Sequence, residues 1–283
     1  MAEPGSAQLL HSPGTVPLGS IFGIPIRLHM LFGAAVILAV LGQVQNSWHH
    51  VLWALLMFGP ILLLTVLIHE LGHCWATRKV GAPVHGILLW PLGGLAFVGH
   101  TSGPKSDIFV AVMGPLTHLP QMLIWFIMYI PSYHATYGDY KFHFAIEDPQ
   151  FDFWLSVVSG ALQLNLFLMA FNLLLPAYPL DGGRIFADLL LLCGLGEVLA
   201  AQITIAVAVL VAAGILAWGI YEQAILTVAV GAWMLYTTYE LFSAVRKGSV
   251  TRHPMFCYDA QPGQAEQPQN PILPPNQQYS ARV

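Results

Sequence analysis

The sequence predicts an all-α polytopic membrane protein with about six transmembrane helices and one small β-hairpin. Of its 283 residues, 56% are apolar and only 8% are charged. The mean hydropathy of +0.66 lies far outside the range of soluble proteins. Several uncharged apolar runs reach or approach the roughly 20 residues that span the hydrocarbon core of a bilayer.

The six predicted spans are separated by short polar segments. The pair Gly59-Pro60 lies inside the second span and is expected to kink it, because proline cannot donate a backbone hydrogen bond. The spans cover about residues 29–44, 51–77, 108–130, 153–175, 198–220 and 223–245.

Three regions follow from this pattern. Residues 1–20 are small and polar and contain Gly and Pro, and we predict a lead that is flexible or lies on the membrane surface. Residues 21–245 form the six-helix membrane domain. Residues 246–283 turn polar and then rich in Pro and Gln, which predicts a disordered tail.

A hairpin is predicted at about residues 84–101. Residues 84–90 and 95–101 are rich in side chains suited to strands, and Pro91 to Gly94 separate them as a turn would.

The basic residues indicate how the spans are oriented. When the loops are numbered alternately, nine of the ten Lys and Arg residues fall on one side, and only Lys141 falls on the other. Basic loops mark the cytoplasmic or equivalent face, so both termini are expected there.

The second span contains His69-Glu70-Leu71-Gly72-His73 after eighteen residues without a charge. On a helix, H-E-x-x-H places two imidazoles one turn apart on one face, as a shared zinc ion requires. The intervening Glu70 is placed to take a proton from the attacking water. Since His69 precedes Arg78 by nine residues, it lies roughly 14 Å inside the basic end of its helix.

A catalytic zinc site typically needs a third protein ligand. Asp181 is the best candidate because acids at membrane depth are rare and usually have a functional partner. It follows Pro176 and Pro179 and precedes two glycines, a pattern that breaks a helix and lets another backbone come close. As alternatives, Asp181 could cap a helix or pair with Arg184.

These residues resemble the site-2 protease family of intramembrane zinc metalloproteases over roughly residues 20–245. The resemblance implies one Zn2+ per chain, held by His69, His73 and Asp181 next to the hairpin, with Glu70 as general base. The matching segments are His69 to His73, Leu180-Asp181-Gly182, Pro91 to Ala96 and Gly114-Pro115.

Two positions depart from the family pattern. His118 replaces the asparagine of G-P-x-x-N, and we predict a packed, hydrogen-bonded histidine in preference to a ligand. Asn172 precedes Pro176 by four residues where the family usually has three. We assign Asn172, Gly93 and Gly94 to substrate binding, and we expect Arg184 to pair with Asp188 one turn later.

The predicted function is a zinc-dependent intramembrane endopeptidase that hydrolyses single-span or other membrane-anchored proteins. The lipid bilayer is its medium, and no basic cluster suggests nucleic acid. The sequence leaves the oligomeric state open. Two other classes remain, a membrane metal-ion transporter and a catalytically inactive scaffold. A prenyl-protein protease would also use H-E-x-x-H, but that class usually takes glutamate as third ligand.

Overall fold

The computed structural model describes residues 13–258, which form a helical bundle with one small sheet. In chain order the elements are β1 Thr15–Ile21, β2 Ile24–His29, α1 Met30–Leu41, α2 Trp48–Leu56, a π-helical turn Met57–Ile61, α3 Leu62–Lys79, β3 Val84–Trp90, β4 Gly93–Val98, α4 Pro104–Leu116, α5 His118–Tyr137, α6 Phe153–Leu174, α7 Asp181–Leu192, α8 Glu197–Tyr221, α9 Ile225–Arg246 and a 3-10 turn Val250–Arg252.

Within the described residues, five helical stretches are long and apolar enough to cross a membrane, and the shorter apolar α1 adds to them. This confirms a multi-pass helical membrane protein with roughly six spans. Helix α1 has 12 residues, about 18 Å at 1.5 Å per residue, which is less than a bilayer core. The five long stretches are Trp48–Lys79, Pro104–Tyr137, Phe153–Leu174, Glu197–Tyr221 and Ile225–Arg246.

The predicted kink in the second span is confirmed. Gly59 adopts φ −88° and ψ −105°, outside the helical region, and Pro60 follows it inside the π-helical turn. The missing proline N–H and the wider turn bend the helix before it reaches the histidines.

The predicted hairpin is confirmed as β3 and β4, which pair antiparallel. It belongs to a four-stranded sheet of order β1-β2-β3-β4, in which β2 and β3 are parallel. The prediction of a flexible lead is wrong for residues 15–20, because β1 pairs antiparallel with β2 along its length. Residues 1–12 of that lead lie outside the described residues.

The sheet packs on α3 through an apolar cluster. Ile24 and Ile26 from β2, Ile87 and Leu89 from β3 and Cys74 from α3 are all buried in it. Because these side chains pack against one another, they hold the sheet on the helix that carries the H-E-x-x-H motif.

The segment after α9 is packed where the sequence predicts disorder. Val250, Met255 and Phe256 are buried in one cluster with Ala187 of α7 and Ala200 of α8. The prediction of a disordered tail is therefore wrong up to residue 258, because these apolar side chains find partners on the bundle. Residues 259–283 lie outside the described part of the chain.

Candidate metal centre

Helix α3 turns its polar side chains inward. His69 and His73 lie one turn apart and are buried together with Glu70. The helix sits very close to α4, since a Cβ on Gly72 would lie 2.6 Å from the backbone oxygen of Met113. Only glycine allows this approach, so the motif helix has a fixed neighbour on its buried face.

Three ligand-type side chains converge at this face. The Nε2 atoms of His69 and His73 lie 3.0 Å apart. Asp181 places Oδ2 3.2 Å from His69 Nε2 and Oδ1 3.2 Å from His73 Nε2. The structure thus brings together the three residues that the sequence nominates as metal ligands, and all three are buried.

Asp181 reaches this position because the chain reverses between α6 and α7. A Cβ on Gly182 would lie 2.4 Å from the Leu175 carbonyl oxygen, and one on Gly183 would lie 2.4 Å from the Ala177 carbonyl carbon. The two glycines after Asp181 therefore allow the start of α7 to lie directly on the preceding loop, as the sequence suggests.

An ion pair ties α7 to α4. Arg184 donates from Nη2 to Asp107 Oδ1 at 2.6 Å. The predicted ion pair between Arg184 and Asp188 is therefore wrong, because Asp107 takes the guanidinium. Asp188 instead accepts a hydrogen bond from the Tyr258 hydroxyl.

The buried Asp188 carboxyl has an unusual proton affinity. Burial, and then the neighbouring Asp107 carboxyl, raise the pKa of Asp188 to about 8. Burial and the hydrogen bond to Asp188 also raise the pKa of Tyr258. The cluster of Asp107, Arg184, Asp188 and Tyr258 joins α4, α7 and the C-terminal segment.

Glu70 lies between the three ligand-type side chains and the sheet. A Cβ on Gly94 of β4 would come within 2.3 Å of Glu70 Cγ, and the Ala96 backbone N–H faces the Glu70 carboxyl. Gly94, predicted to bind substrate, thus borders the proposed general base. Its role toward substrate stays a prediction, as does that of Gly93.

The second ring nitrogens of both histidines also have partners. His73 Nδ1 lies 2.8 Å from the backbone oxygen of Val110. His69 Nδ1 lies 3.2 Å from His118 Nε2, and His118 Nδ1 lies 2.9 Å from Asn165 Oδ1. His118 is buried and hydrogen-bonded, as predicted, and it contacts the side of His69 opposite Asp181.

Asn165 is not among the residues identified from the sequence, although an amide inside an apolar span indicates a residue with a polar partner. Asn172, which was singled out, donates its amide to the Leu168 carbonyl of its own helix. Its predicted role in substrate binding stays a prediction.

The donor set fits a zinc ion. Zinc prefers imidazole nitrogen and carboxylate oxygen, and three such ligands leave one position open. Since a carbonyl can only accept, Val110 requires a proton on His73 Nδ1, which leaves Nε2 free to bind metal.

Three features define a class of protein, the membrane metallopeptidases. These features are the apolar helices, the helix with the H-E-x-x-H motif, and the aspartate that lies against it. The chain belongs to peptidase family M50, whose family model matches residues 57–217. This confirms the resemblance seen in the sequence.

Individual relatives agree with this assignment. A zinc metalloprotease of Methanocaldococcus jannaschii is 32% identical over 177 residues, which cover 62% of this chain and 45% of that protein. Rip3 of Mycobacterium tuberculosis, also named a zinc metalloprotease, is 29% identical over 82% of this chain and 58% of its own length. The chain thus spans about half the length of these curated relatives.

A solved structure shares the fold. The site-2 protease from Methanocaldococcus jannaschii superposes with a TM-score of 0.56 at 26% identity, covering 80% of this chain and 94% of that chain.

Proposed function

We propose that this chain is a zinc-dependent intramembrane endopeptidase that hydrolyses peptide bonds of single-span or other membrane-anchored proteins. The observation that carries the proposal is the position of Glu70. It is buried beside the mutually facing His69, His73 and Asp181, and it borders β4, an edge strand of the sheet.

His69, His73 and Asp181 would hold the zinc. When bound, a zinc ion lowers the pKa of water to near neutrality and polarises a carbonyl group. The two imidazoles and the carboxylate lie within 3.2 Å of one another through their ligand atoms, so their side chains need little rearrangement to share one ion.

Glu70 would act as the general base. Its carboxylate accepts the proton of the water that attacks the substrate carbonyl. The protonated carboxyl then donates this proton to the leaving amine, which becomes the new N-terminus of the product. Gly94 and the Ala96 backbone confine the side chain on the sheet side.

The edge of β4 would hold the substrate in extended form. A transmembrane helix hides its carbonyls in internal hydrogen bonds, so a segment must unwind before it can be cut. Along a strand, successive residues turn their N–H and C=O groups to alternate sides. The Gly99 N–H donates to the Pro83 carbonyl on the β3 side, whereas the Ala96 N–H faces Glu70. Gly94, Ala96 and Val98 therefore direct their backbone N–H and C=O groups outward.

An unwound substrate segment can therefore add to β4 as a further strand, with the scissile bond next to Glu70. β4 lies at one edge of the sheet, so the outward groups of Gly94 and Val98 face no neighbouring strand of this sheet, while the Ala96 N–H faces Glu70.

The orientation of the protein is part of the proposal. Nine of the ten basic residues fall on one side of the six-span arrangement, which supports a cytoplasmic or equivalent location for both termini. Tags at the two termini should be accessible from the same side of the membrane, and accessibility from opposite sides would contradict this arrangement.

The decisive experiment compares wild type with Glu70→Gln on a panel of single-span substrates while bound zinc is measured. We expect lost cleavage with zinc retained, because the amide keeps the shape of the side chain but cannot take a proton. Glu240→Gln, at an exposed position of α9, is the matched control and should cleave normally.

Two results would overturn the proposal. Equal cleavage by wild type and Glu70→Gln would exclude Glu70 as the base. Transport of a divalent metal by both proteins, with no cleavage of any substrate, would support a transporter instead.

A further inference from the structure

We propose that His118, held by Asn165, is a positioning residue that fixes the tautomer and ring orientation of His69. This inference deepens the proposed zinc site and rests on it for its functional meaning. Its structural content, a defined proton on His69 Nδ1, can be tested without metal.

The three side chains form one continuous hydrogen-bonded line across three helices. His69 Nδ1 of α3 lies 3.2 Å from His118 Nε2 of α5, and His118 Nδ1 lies 2.9 Å from Asn165 Oδ1 of α6. Asn165 Nδ2 in turn donates to the Ala161 carbonyl at 3.0 Å. His118 is 1% exposed and Asn165 is 0% exposed.

The line has a fixed direction because its last member is a carbonyl. The Ala161 oxygen can only accept, so the amide NH2 of Asn165 must face it and Oδ1 must face His118. Since Oδ1 can only accept, His118 carries its proton on Nδ1 and presents a bare Nε2 to His69. His69 must then be protonated on Nδ1.

In the neutral imidazole this leaves His69 Nε2 without a proton, on the side that faces His73 and Asp181. A ligating imidazole needs a bare nitrogen toward the metal, and its second nitrogen usually donates to a fixed acceptor. For His73 that acceptor is the Val110 carbonyl. For His69 it is another imidazole.

An imidazole acceptor differs from a carbonyl in one respect. His118 alone could donate from Nε2 and would then favour the opposite proton position on His69. Asn165 removes this choice, which explains why a fully buried amide lies in the middle of an apolar helix. His118 and Asn165 therefore act as a pair.

The first test measures the tautomer of His69 in metal-free protein by 15N chemical shifts of the imidazole nitrogens. In wild type we expect the Nδ1-protonated form. In His118→Leu we expect a mixture of tautomers, because the acceptor is lost. His118→Gln, whose amide oxygen can accept near the former Nε2 position, should restore much of the wild-type signal.

The second test measures zinc affinity by competition with a chelator. Loss of such an outer hydrogen-bond partner typically weakens metal binding by about 10–100-fold. We expect this loss in His118→Leu and in Asn165→Leu, and a smaller one in His118→Gln. Gln121→Leu is the matched control, because Gln121 is also a buried polar residue of α5 but donates to the Thr117 carbonyl of its own helix turn.

The outcomes separate the two proposals. Wild-type zinc affinity in His118→Leu, or an unchanged His69 tautomer there, would overturn the positioning role while the zinc site stands. If wild type binds no zinc but His118→Leu loses the Nδ1-protonated His69, the zinc proposal fails and the assigned hydrogen-bond direction is supported.

Discussion

Gly94 of β4 lies so close to Glu70 of α3 that a Cβ on the glycine would meet Glu70 Cγ at 2.3 Å. The two residues belong to different elements, and their contact sets the position of the proposed base relative to the strand edge. A side chain at residue 94 must displace either the strand or the carboxylate.

Gly94→Ala should therefore lose cleavage while it keeps zinc. A misplacement of about 1 Å in a catalytic group can cost roughly 10²-fold in rate, and we expect a loss of this order. The measurement is substrate cleavage together with zinc content. Gly214→Ala, on α8 with open space where the added Cβ would lie, is the control. Normal cleavage by Gly94→Ala would show that Glu70 tolerates displacement.

Gly114→Ala, in contrast to Gly94→Ala, should weaken the binding of zinc. A Cβ at residue 114 would lie 2.2 Å from His73 Nε2, the atom proposed to bind metal. We expect zinc affinity to fall by roughly 10–100-fold, comparable to the loss of a ligand's supporting group. Chelator competition measures the change, again against Gly214→Ala. A protein that binds zinc as tightly as wild type would contradict the position inferred for His73.

The ion pair between Arg184 and Asp107 should stabilise the junction of α7 and α4. Arg184→Met leaves the buried Asp107 carboxylate without its partner. Removal of one member of a fully buried pair costs roughly 3 kcal/mol, and we expect a smaller loss here because the Arg184 side chain is 25% exposed. Thermal unfolding in detergent measures this. The double variant Asp107→Leu/Arg184→Met should lose less than the sum of the two single variants, since it leaves no unpaired charge. Additive losses would show that the pair contributes no coupling.

How much of this site could be predicted depends on the range of each contact. His69, Glu70 and His73 belong to one local motif, and Asp181 stands out as an acid at membrane depth. The contact of Gly94 with Glu70 requires the packing of β4 on α3, which no local pattern encodes. The donor residues could be named from the sequence, but not their surroundings.

Asn165 and Asn172 show the same limit on one helix. Both are amides in the same apolar span, and each donates to the carbonyl four residues earlier. Only Asn165 also meets His118, 47 residues away in sequence. The choice between them depends on which face of α6 packs against α5.

In the fold, hydropathy predicted the helices and residue type predicted the hairpin. The strands β1 and β2 escaped prediction because β2 joins the hairpin by a parallel pairing across about 60 residues, from Ile26 to Ile87. Such a pairing depends on the long-range packing of the sheet on α3.

Asp188→Asn should change how stability depends on pH. Because the pKa of folded Asp188 is raised from 3.8 to about 8, the folded state keeps a proton that the unfolded state has lost between these values. This stabilisation is complete below about pH 4 and is lost as pH rises through 8. Asp107, Arg184 and Tyr258 are the charged or titratable groups that face Asp188.

The asparagine variant carries no such proton. Its free energy of unfolding, relative to wild type, should therefore rise across pH 4 to 8, as measured by thermal unfolding in detergent. A constant difference between the two proteins over this range would show that Asp188 titrates near its ordinary pKa of 3.8.

The outer edge of β4 offers a test of substrate binding that leaves the metal centre untouched. Val98 directs its N–H outward, so proline there removes one hydrogen bond to an added strand but none to β3, and edge strands tolerate proline. A lost hydrogen bond of about 1 kcal/mol predicts a several-fold decrease in kcat/KM for membrane-anchored substrates. Val98→Ala keeps the N–H and should cleave normally. Equal kcat/KM for the two variants, with zinc retained in both, would exclude strand addition at this edge. A decrease confined to the proline variant would show that the substrate backbone itself pairs with β4.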